Sequence, residues 1–217
     1  MSITEAQHRH AAFLSGYGTV KRLFDITAAA WLLAALAPVL LVIALAVKLE
    51  TRGPALFRQA RCGTGTRSFM ALKFRTMHVD AEARLMEMLA GNSKLKLEYD
   101  RHHKLRCDPR VTRVGWLLRR TSLDELPQLW NVLTGDMSLI GPRPYMPHEL
   151  APHPSAQSAI ARVKPGITGL WQVSGHHRTT FEDRLQFDIA YVEGYSLRRD
   201  MAILLRTVMV VLKADGI

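Results

Sequence analysis

The sequence predicts a mixed, helix-rich α/β chain. Its parts are an N-terminal re-entrant membrane helix-break-helix and a cytosolic domain with a small β-hairpin and amphipathic interfacial helices. Three observations predict this. A run of 22 residues without a charge, Ile26 to Val47, is interrupted by Pro38. Two short segments alternate apolar and polar residues around Gly63-Thr64-Gly65-Thr66. Near the C-terminus, apolar residues recur at helical spacing between basic ones.

The first twenty residues carry no strong pattern and read as a loosely ordered tail. The apolar run is long enough for a membrane span, which takes roughly 20 residues. It is too long for a secretory signal, and no convincing small-residue cleavage site follows it. A buried core helix is the plainer alternative. Pro38 removes a backbone donor and clashes one turn back, so the helix should kink or break there. The two halves would rise only about 18 and 15 Å at 1.5 Å per residue, and neither alone crosses a hydrocarbon core of about 30 Å. Lys21 and Arg22 precede the run, and Lys48, Arg52, Arg58 and Arg61 follow it. Basic flanks mark the cytoplasmic side, and both ends carry them. The reading is a re-entrant segment over 21–50 with both ends in the cytoplasm; a proline-kinked span is the alternative.

Residues 51–217 form the expected cytosolic domain. Segments 55–61 and 68–77 read as the hairpin strands, with Met70, Leu72 and Phe74 on one face and Lys73 and Arg75 together on the other. A helix is expected from Asp80 to about Lys104, followed by a basic stretch through Arg120. Another should start near Thr179 or Thr180, with Glu182 and Asp183 in its first turn. The last covers about Leu197 to Lys213. Its stripe of Met201, Leu204, Leu205, Val208, Val211 and Leu212 is edged by arginines and suits either a core-facing surface helix or a membrane interface.

The chain has 217 residues, enough for one domain with a sizeable core. Its 29 Lys plus Arg against 19 Asp plus Glu give a net charge of +10, which suits polyanions: nucleic acid, anionic lipid or phosphate-rich small molecules. A nucleic-acid binder is disfavoured, because no recognition module is visible and the apolar run would be out of place. Cys62 and Cys107 have no metal-ligand spacing, and two lone thiols argue for a reducing compartment. No histidine pair has zinc-site spacing.

The densest chemistry lies in 122–144, SLDELPQLWNVLTGDMSLIGPRP. Ser122 followed by Glu125 matches a capping box, which puts Asp124 and Glu125 at a helix N-terminus, and Pro127 supports a start nearby. Acidic residues in a first turn commonly do no more than stabilise the helix. Here cations surround them. Gly141-Pro142-Arg143-Pro144 aims an arginine from a stiff loop, and Lys73 and Arg75 add two more charges. A carboxylate pair among cations suits phosphoryl transfer from a nucleotide: one carboxylate attacks phosphorus while another holds Mg²⁺ against the diphosphate. A catalytically silent membrane scaffold would have no use for Asp124, Glu125 and Arg143 together.

The chain resembles the monotopic phosphoglycosyl transferases, the bacterial sugar transferase family. The resemblance covers about residues 20–215. It rests on KRLFD (21–25), the proline-broken run, FRQARCG (57–63), LKFRTM (72–77), the segment 108–144, VKPGITGLWQVSG (163–175) and SLRRDMAILLRTVMVVL (196–212). It implies an enzyme of the bacterial inner membrane, on the cytoplasmic face. Such an enzyme transfers a sugar-1-phosphate from a UDP-sugar to undecaprenyl phosphate, releasing UMP by a ping-pong mechanism. The resemblance makes Asp124 the nucleophile, Glu125 a ligand of Mg²⁺, and Arg143 part of the nucleotide-phosphate site. Lys73, Arg75 and Asp200 are further site positions. After VSG the family usually has an arginine followed by Asn or Ser. Here His176 stands in the arginine's place, with Arg178 two residues on. The implied partners are the UDP-sugar, undecaprenyl phosphate and the anionic cytoplasmic leaflet, with no nucleic acid; a homo-oligomer is left open. The resemblance is to the small forms that start exopolysaccharide repeat units, without the extra N-terminal spans and soluble module of larger relatives. That suggests UDP-galactose or UDP-glucose, with an N-acetylated sugar as the alternative. A polytopic transferase would need several apolar runs.

Overall fold

The computed structural model describes residues 3–65, 67–92, 95–97, 99, 105, 108–174 and 180–212. It opens with one helix, α1 (Ile3–Glu50), of 48 residues. Two expectations are corrected. The segment expected as a loose tail is helical from Ile3, and the helix runs through Pro38 without a break. Proline removes only the one bond to the Ala34 carbonyl. The Ala and Leu residues on both sides are strong helix formers, and extending an existing helix adds one bond per residue fixed.

Both ends of the apolar run are tied to the body of the protein. At the first end, Lys21 Nζ lies 2.6 Å from Asp200 Oδ2. Arg22 donates to the carbonyls of Val132 (2.6 Å) and Leu133 (2.9 Å), and Asp25 accepts from Leu139 N at 3.0 Å. At the other end, the Glu50 carboxylate accepts from the backbone amides of Arg113 (2.7 Å) and Val114 (3.0 Å). Between these ties the helix is mostly bare. Trp31 and Leu41 are 70% and 72% exposed, and 11% of the most apolar window is buried.

The hairpin forms as expected. Strand β1 (Leu56–Cys62) pairs antiparallel with β2 (Ser68–Phe74) in the register Leu56↔Phe74 through Cys62↔Ser68. Arg75 lies just past the end of β2 and does not share a strand face with Lys73. Its guanidinium donates to the carbonyls of Thr51 (2.8 Å) and Arg52 (2.9 Å), closing the end of α1.

The helix expected from Asp80 to about Lys104 is interrupted: α2 (Ala81–Gly91) ends at an extended Asn92, residues 95–97 and 99 are helical again, and the rest of that range lies outside the described residues. Glycine and asparagine there favour leaving the helix over continuing it. Helix α3 (Arg113–Arg120) starts on a Thr112 cap, whose side chain accepts from Gly115 N at 2.9 Å. A single 3-10 turn, Leu123–Glu125, leads to α4 (Gln128–Thr134). The expected capping box does not form: Ser122 makes no cap bond and sits at φ 56° in the left-handed region. Strand β3 (Ser138–Ile140) pairs in parallel with β4 (Gly166–Thr168). The short helices α5 (Pro147–Leu150) and α6 (Pro154–Ile160) lie between these strands in sequence, and α7 (Leu170–Val173) follows β4.

Two helices close the described chain. Helix α8 (Phe181–Glu193) opens on a Thr180–Asp183 capping box, as its sequence suggests. Helix α9 (Leu197–Leu212) turns Asp200 and Ile203 inward, each 2% exposed, and Thr207 bonds Thr168 across 2.7 Å. Leu205, Val208 and Val211 of the expected stripe face outward. The main core gathers Ala29 of α1, Leu129 and Val132 of α4, Leu139 and Ile140 of β3, and Tyr191 and Ile203 of α8 and α9. A second apolar cluster packs Ile43 and Val47 against Phe74 and Leu118.

Candidate active site

The 3-10 turn delivers Asp124 and Glu125 beside β2. Lys73 reaches across from the strand and bonds Glu125 Oε1 at 2.5 Å, with side-chain exposures of 19% and 31%. Asn131 fixes this approach. Its amide accepts from Leu72 N and donates to the Met70 carbonyl, both at 2.9 Å, so helix α4 grips the backbone next to Lys73. The register between the turn and the strand is therefore set by one buried side chain.

The two neighbouring carboxyls are driven apart electrically. Burial pushes Glu125 up, but Lys73, then Arg143 and Arg61, outweigh it and hold the group below the ordinary carboxylate range. For Asp124, burial acts first and the Glu125 charge adds to it. Lys73 and Arg119 oppose them only in part, and the carboxyl is pushed up to about 6. At neutral pH both are ionised. Glu125 is held in an ion pair, whereas Asp124 is a partly desolvated anion. A carboxylate stripped of some of its water is the better nucleophile of the two.

The Gly141–Pro144 loop faces this pair. Its backbone is locked by Gly141 N to Thr168 O at 2.9 Å and Gly166 N to Pro142 O at 2.8 Å. A Cβ at Gly141 would collide with the Lys164 carbonyl, so only glycine allows this close approach. Arg143 N donates to Asp188 Oδ2 at 3.1 Å, and Tyr145 Oη donates to the same oxygen at 2.8 Å. Burial first of all raises the Asp188 carboxyl, to about 6. The Arg143 guanidinium lies 5.4 Å from the centre of the Trp171 ring, and Arg184 lies 4.7 Å from the same ring. Arg143, Arg61, Lys73 and Glu125 line one narrow cleft, together with Gln128 and Gln172.

Of the sequence-derived site residues, the structure brings Asp124, Glu125, Lys73 and Arg143 together. Arg75 closes the end of α1. Asp200 is buried and bonded by Lys21, by Tyr17 (2.6 Å) and by Tyr191 (2.8 Å), where it ties α1 to α9. His176 and Arg178 lie outside the described residues, as does Cys107. Sequence reasoning missed Arg61, Asn131, Gln128, Gln172, Arg184 and Asp188. Arg61 donates to Pro144 O at 3.0 Å and to Gln59 Oε1 at 2.6 Å, so β1 props the arginine loop. Gln128 Nε2 and Gln172 Oε1 are buried without partners beside the cleft. Unmet bonding capacity next to a cleft would mark a ligand's place. It becomes visible only once the chain is folded.

A divalent ion can be weighed against these groups. Among the described residues no cluster of three His, Cys, Asp or Glu side chains forms an all-protein cage. Two adjacent carboxylates, one already paired with Lys73, fit Mg²⁺ in its usual setting, where one or two carboxylates share the ion with substrate phosphates and water.

Comparison with known proteins gives a consistent picture. Residues 16–214 match the family described as Bacterial sugar transferase. The chain is 44% identical over 197 residues to the UDP-galactose-lipid carrier transferase of Erwinia amylovora, covering 91% of this chain and 41% of that protein. It is 40% identical to the exopolysaccharide production protein ExoY of Sinorhizobium fredii, with 92% and 88% covered. A third relative is the UDP-glucose:undecaprenyl-phosphate glucose-1-phosphate transferase of Caulobacter vibrioides, 45% identical over 204 residues, with 90% and 71% covered. The chain thus spans about two fifths of the first of these relatives and most of the second.

Proposed function

Because the chain belongs to the bacterial sugar transferase family, we propose that it moves a hexose-1-phosphate from UDP-galactose or UDP-glucose onto undecaprenyl phosphate, through a phosphosugar on Asp124. The observation that carries this is the contrast within the carboxylate pair. Asp124 is partly desolvated and makes no ion pair among the described residues, Glu125 is fixed by Lys73, and Arg143 is in the same cleft as Glu125.

In this reading an Asp124 carboxylate oxygen attacks the β-phosphorus. The bond to the bridging oxygen breaks, and its electron pair leaves with UMP. An acyl phosphate then joins Asp124 to the sugar phosphate. An oxygen of undecaprenyl phosphate attacks the same phosphorus, forms the lipid diphosphate and returns the carboxylate. Arg143 and Arg61 supply fixed positive charge for the leaving phosphate, and Lys73 keeps Glu125 ionised and oriented. Glu125 would hold Mg²⁺ against the diphosphate, where the ion neutralises charge as UMP departs.

The same reading places the chain at the cytoplasmic face of the inner membrane, with α1 re-entrant through a bend at Pro38, where the helix loses one hydrogen bond but continues. Support comes from the ties at both ends of the apolar run to one body, and from the bare apolar surface between them. Helix α9, with Leu205, Val208 and Val211 outward, suits the lipid interface. The test is UMP release by detergent-solubilised protein from a panel of UDP-sugars, with undecaprenyl phosphate present. Turnover with UDP-galactose or UDP-glucose that stops in excess chelator is the expected result. Activity without UMP release would refute it.

A further inference from the structure

A second cavity, of about 220 Å³, opens beside the arginine loop, under the turn of the β1–β2 hairpin. One side of its wall is apolar, with Leu150, Ile160 and Val163 and the ring of Pro147, and Arg67, Ser68, Tyr145 and Gln157 are among its polar members. Arg143 lines both this cavity and the cleft that holds Glu125. We propose that this cavity seats the uracil base of the donor nucleotide, with Arg143 standing between the base and the reacting phosphate. The inference rests on the UDP-sugar reading above and adds where the nucleoside lies.

Three arguments favour a base over the hexose. First, a planar base offers two apolar faces to the Leu150, Ile160 and Val163 side of the wall, whereas both faces of a hexose carry hydroxyls. Second, Gln157 lines the cavity half-buried, and its side-chain amide has no hydrogen-bond partner among the described residues. One donor and one acceptor on a single amide match the N3–H and O4 of uracil. Third, displacement at phosphorus places the attacking and leaving oxygens on opposite sides. The leaving nucleotide must then point away from Asp124. The cavity shares no lining residue with the Asp124 turn, yet it shares Arg143 with the phosphate cleft.

The test compares wild-type protein with Gln157→Leu on a half-buried helix position. The expected result is a KM for the UDP-sugar raised about tenfold, the worth of one hydrogen bond, with kcat within about twofold. UMP inhibition should weaken by the same factor. A donor methylated at uracil N3 should be rejected by wild type and much less by the variant, which a merely structural defect would not produce. As a separate readout, Cys62 lines the same cavity. In a Cys107→Ser background, UMP should slow maleimide modification of Cys62, while hexose-1-phosphate should not. An unchanged KM together with equal rejection of the methylated donor would overturn the proposal. Protection by hexose-1-phosphate instead of UMP would also overturn it, giving the cavity to the sugar. If wild type turns over no UDP-sugar at all, the failure lies with the donor reading and is seen before any variant is made.

Discussion

At the scale of single residues, Asp124 is set against its own environment. Burial and the Glu125 charge raise its carboxyl to about 6. The neutral form is therefore favoured on folding, and the stability this brings is present at low pH and lost as pH rises through about 6. Activity needs the anion and runs the other way. The first half-reaction should fall roughly tenfold for each pH unit below about 6. Asp188 titrates in the same range and holds Arg143 N, so Asp188→Asn tests whose ionisation the acid limb reports. A limb that survives in Asp188→Asn belongs to Asp124. Asp124→Asn should abolish turnover yet stabilise the fold at pH 7 by about 1 kcal/mol, once solvent screening of a partly open site is allowed for. A chemical denaturation curve checks this. Arg143→Lys should lose most activity, because a point charge cannot reproduce a planar fork.

At the scale of elements, the hairpin, α8 and α9 were legible in the sequence, because each rests on local signals: alternation around a glycine turn, a Thr180–Asp183 box, a helical stripe. The 3-10 turn was misread. Ser122 and Glu125 have the spacing of a capping box, but Pro127 starts α4 later, and the chain reaches it through a left-handed Ser122. A non-glycine residue there is strained. Ser122→Gly should therefore stabilise by up to about 1 kcal/mol, where a capping serine would have lost stability. A thermal melt distinguishes the two signs. The role of Asn131 was hidden for another reason. It sits unremarked within LWNV, and its grip on β2 exists only in the tertiary structure. Asn131→Ala should cost about 2 kcal/mol for the two bonds that its buried amide makes to β2, and lower kcat as Lys73 drifts from Glu125. Stopped-flow UMP release beside a denaturant titration would show both losses, or separate them.

At the scale of the whole molecule, the apolar run was plain in sequence, but how the body holds it was not. Lys21 and Arg22 read as membrane-side cations and Arg75 as a phosphate neighbour; the structure adds that all three fasten α1. Charge alone could not assign them, since a cation near lipid and a cation capping a helix look alike in sequence. With both ends of the run fastened, cysteines introduced near positions 10 and 60 should label from the same, cytoplasmic side of the membrane. Labelling from opposite sides would establish a span and remove the re-entrant reading. The family was legible from motif order, and four of the expected site residues meet in space; the supporting shell of Arg61, Asn131 and the glutamines needed the fold to reveal it. The account as a whole is tested most directly by the intact mass of the protein after mixing with Mg²⁺ and UDP-sugar in the absence of lipid. The expected result is a gain of one hexose phosphate, about one UMP released per chain, loss of the added mass on adding undecaprenyl phosphate, and no gain in Asp124→Asn. Full product formation by Asp124→Asn with no mass gain in wild type would contradict it and leave direct attack by the lipid phosphate as the mechanism.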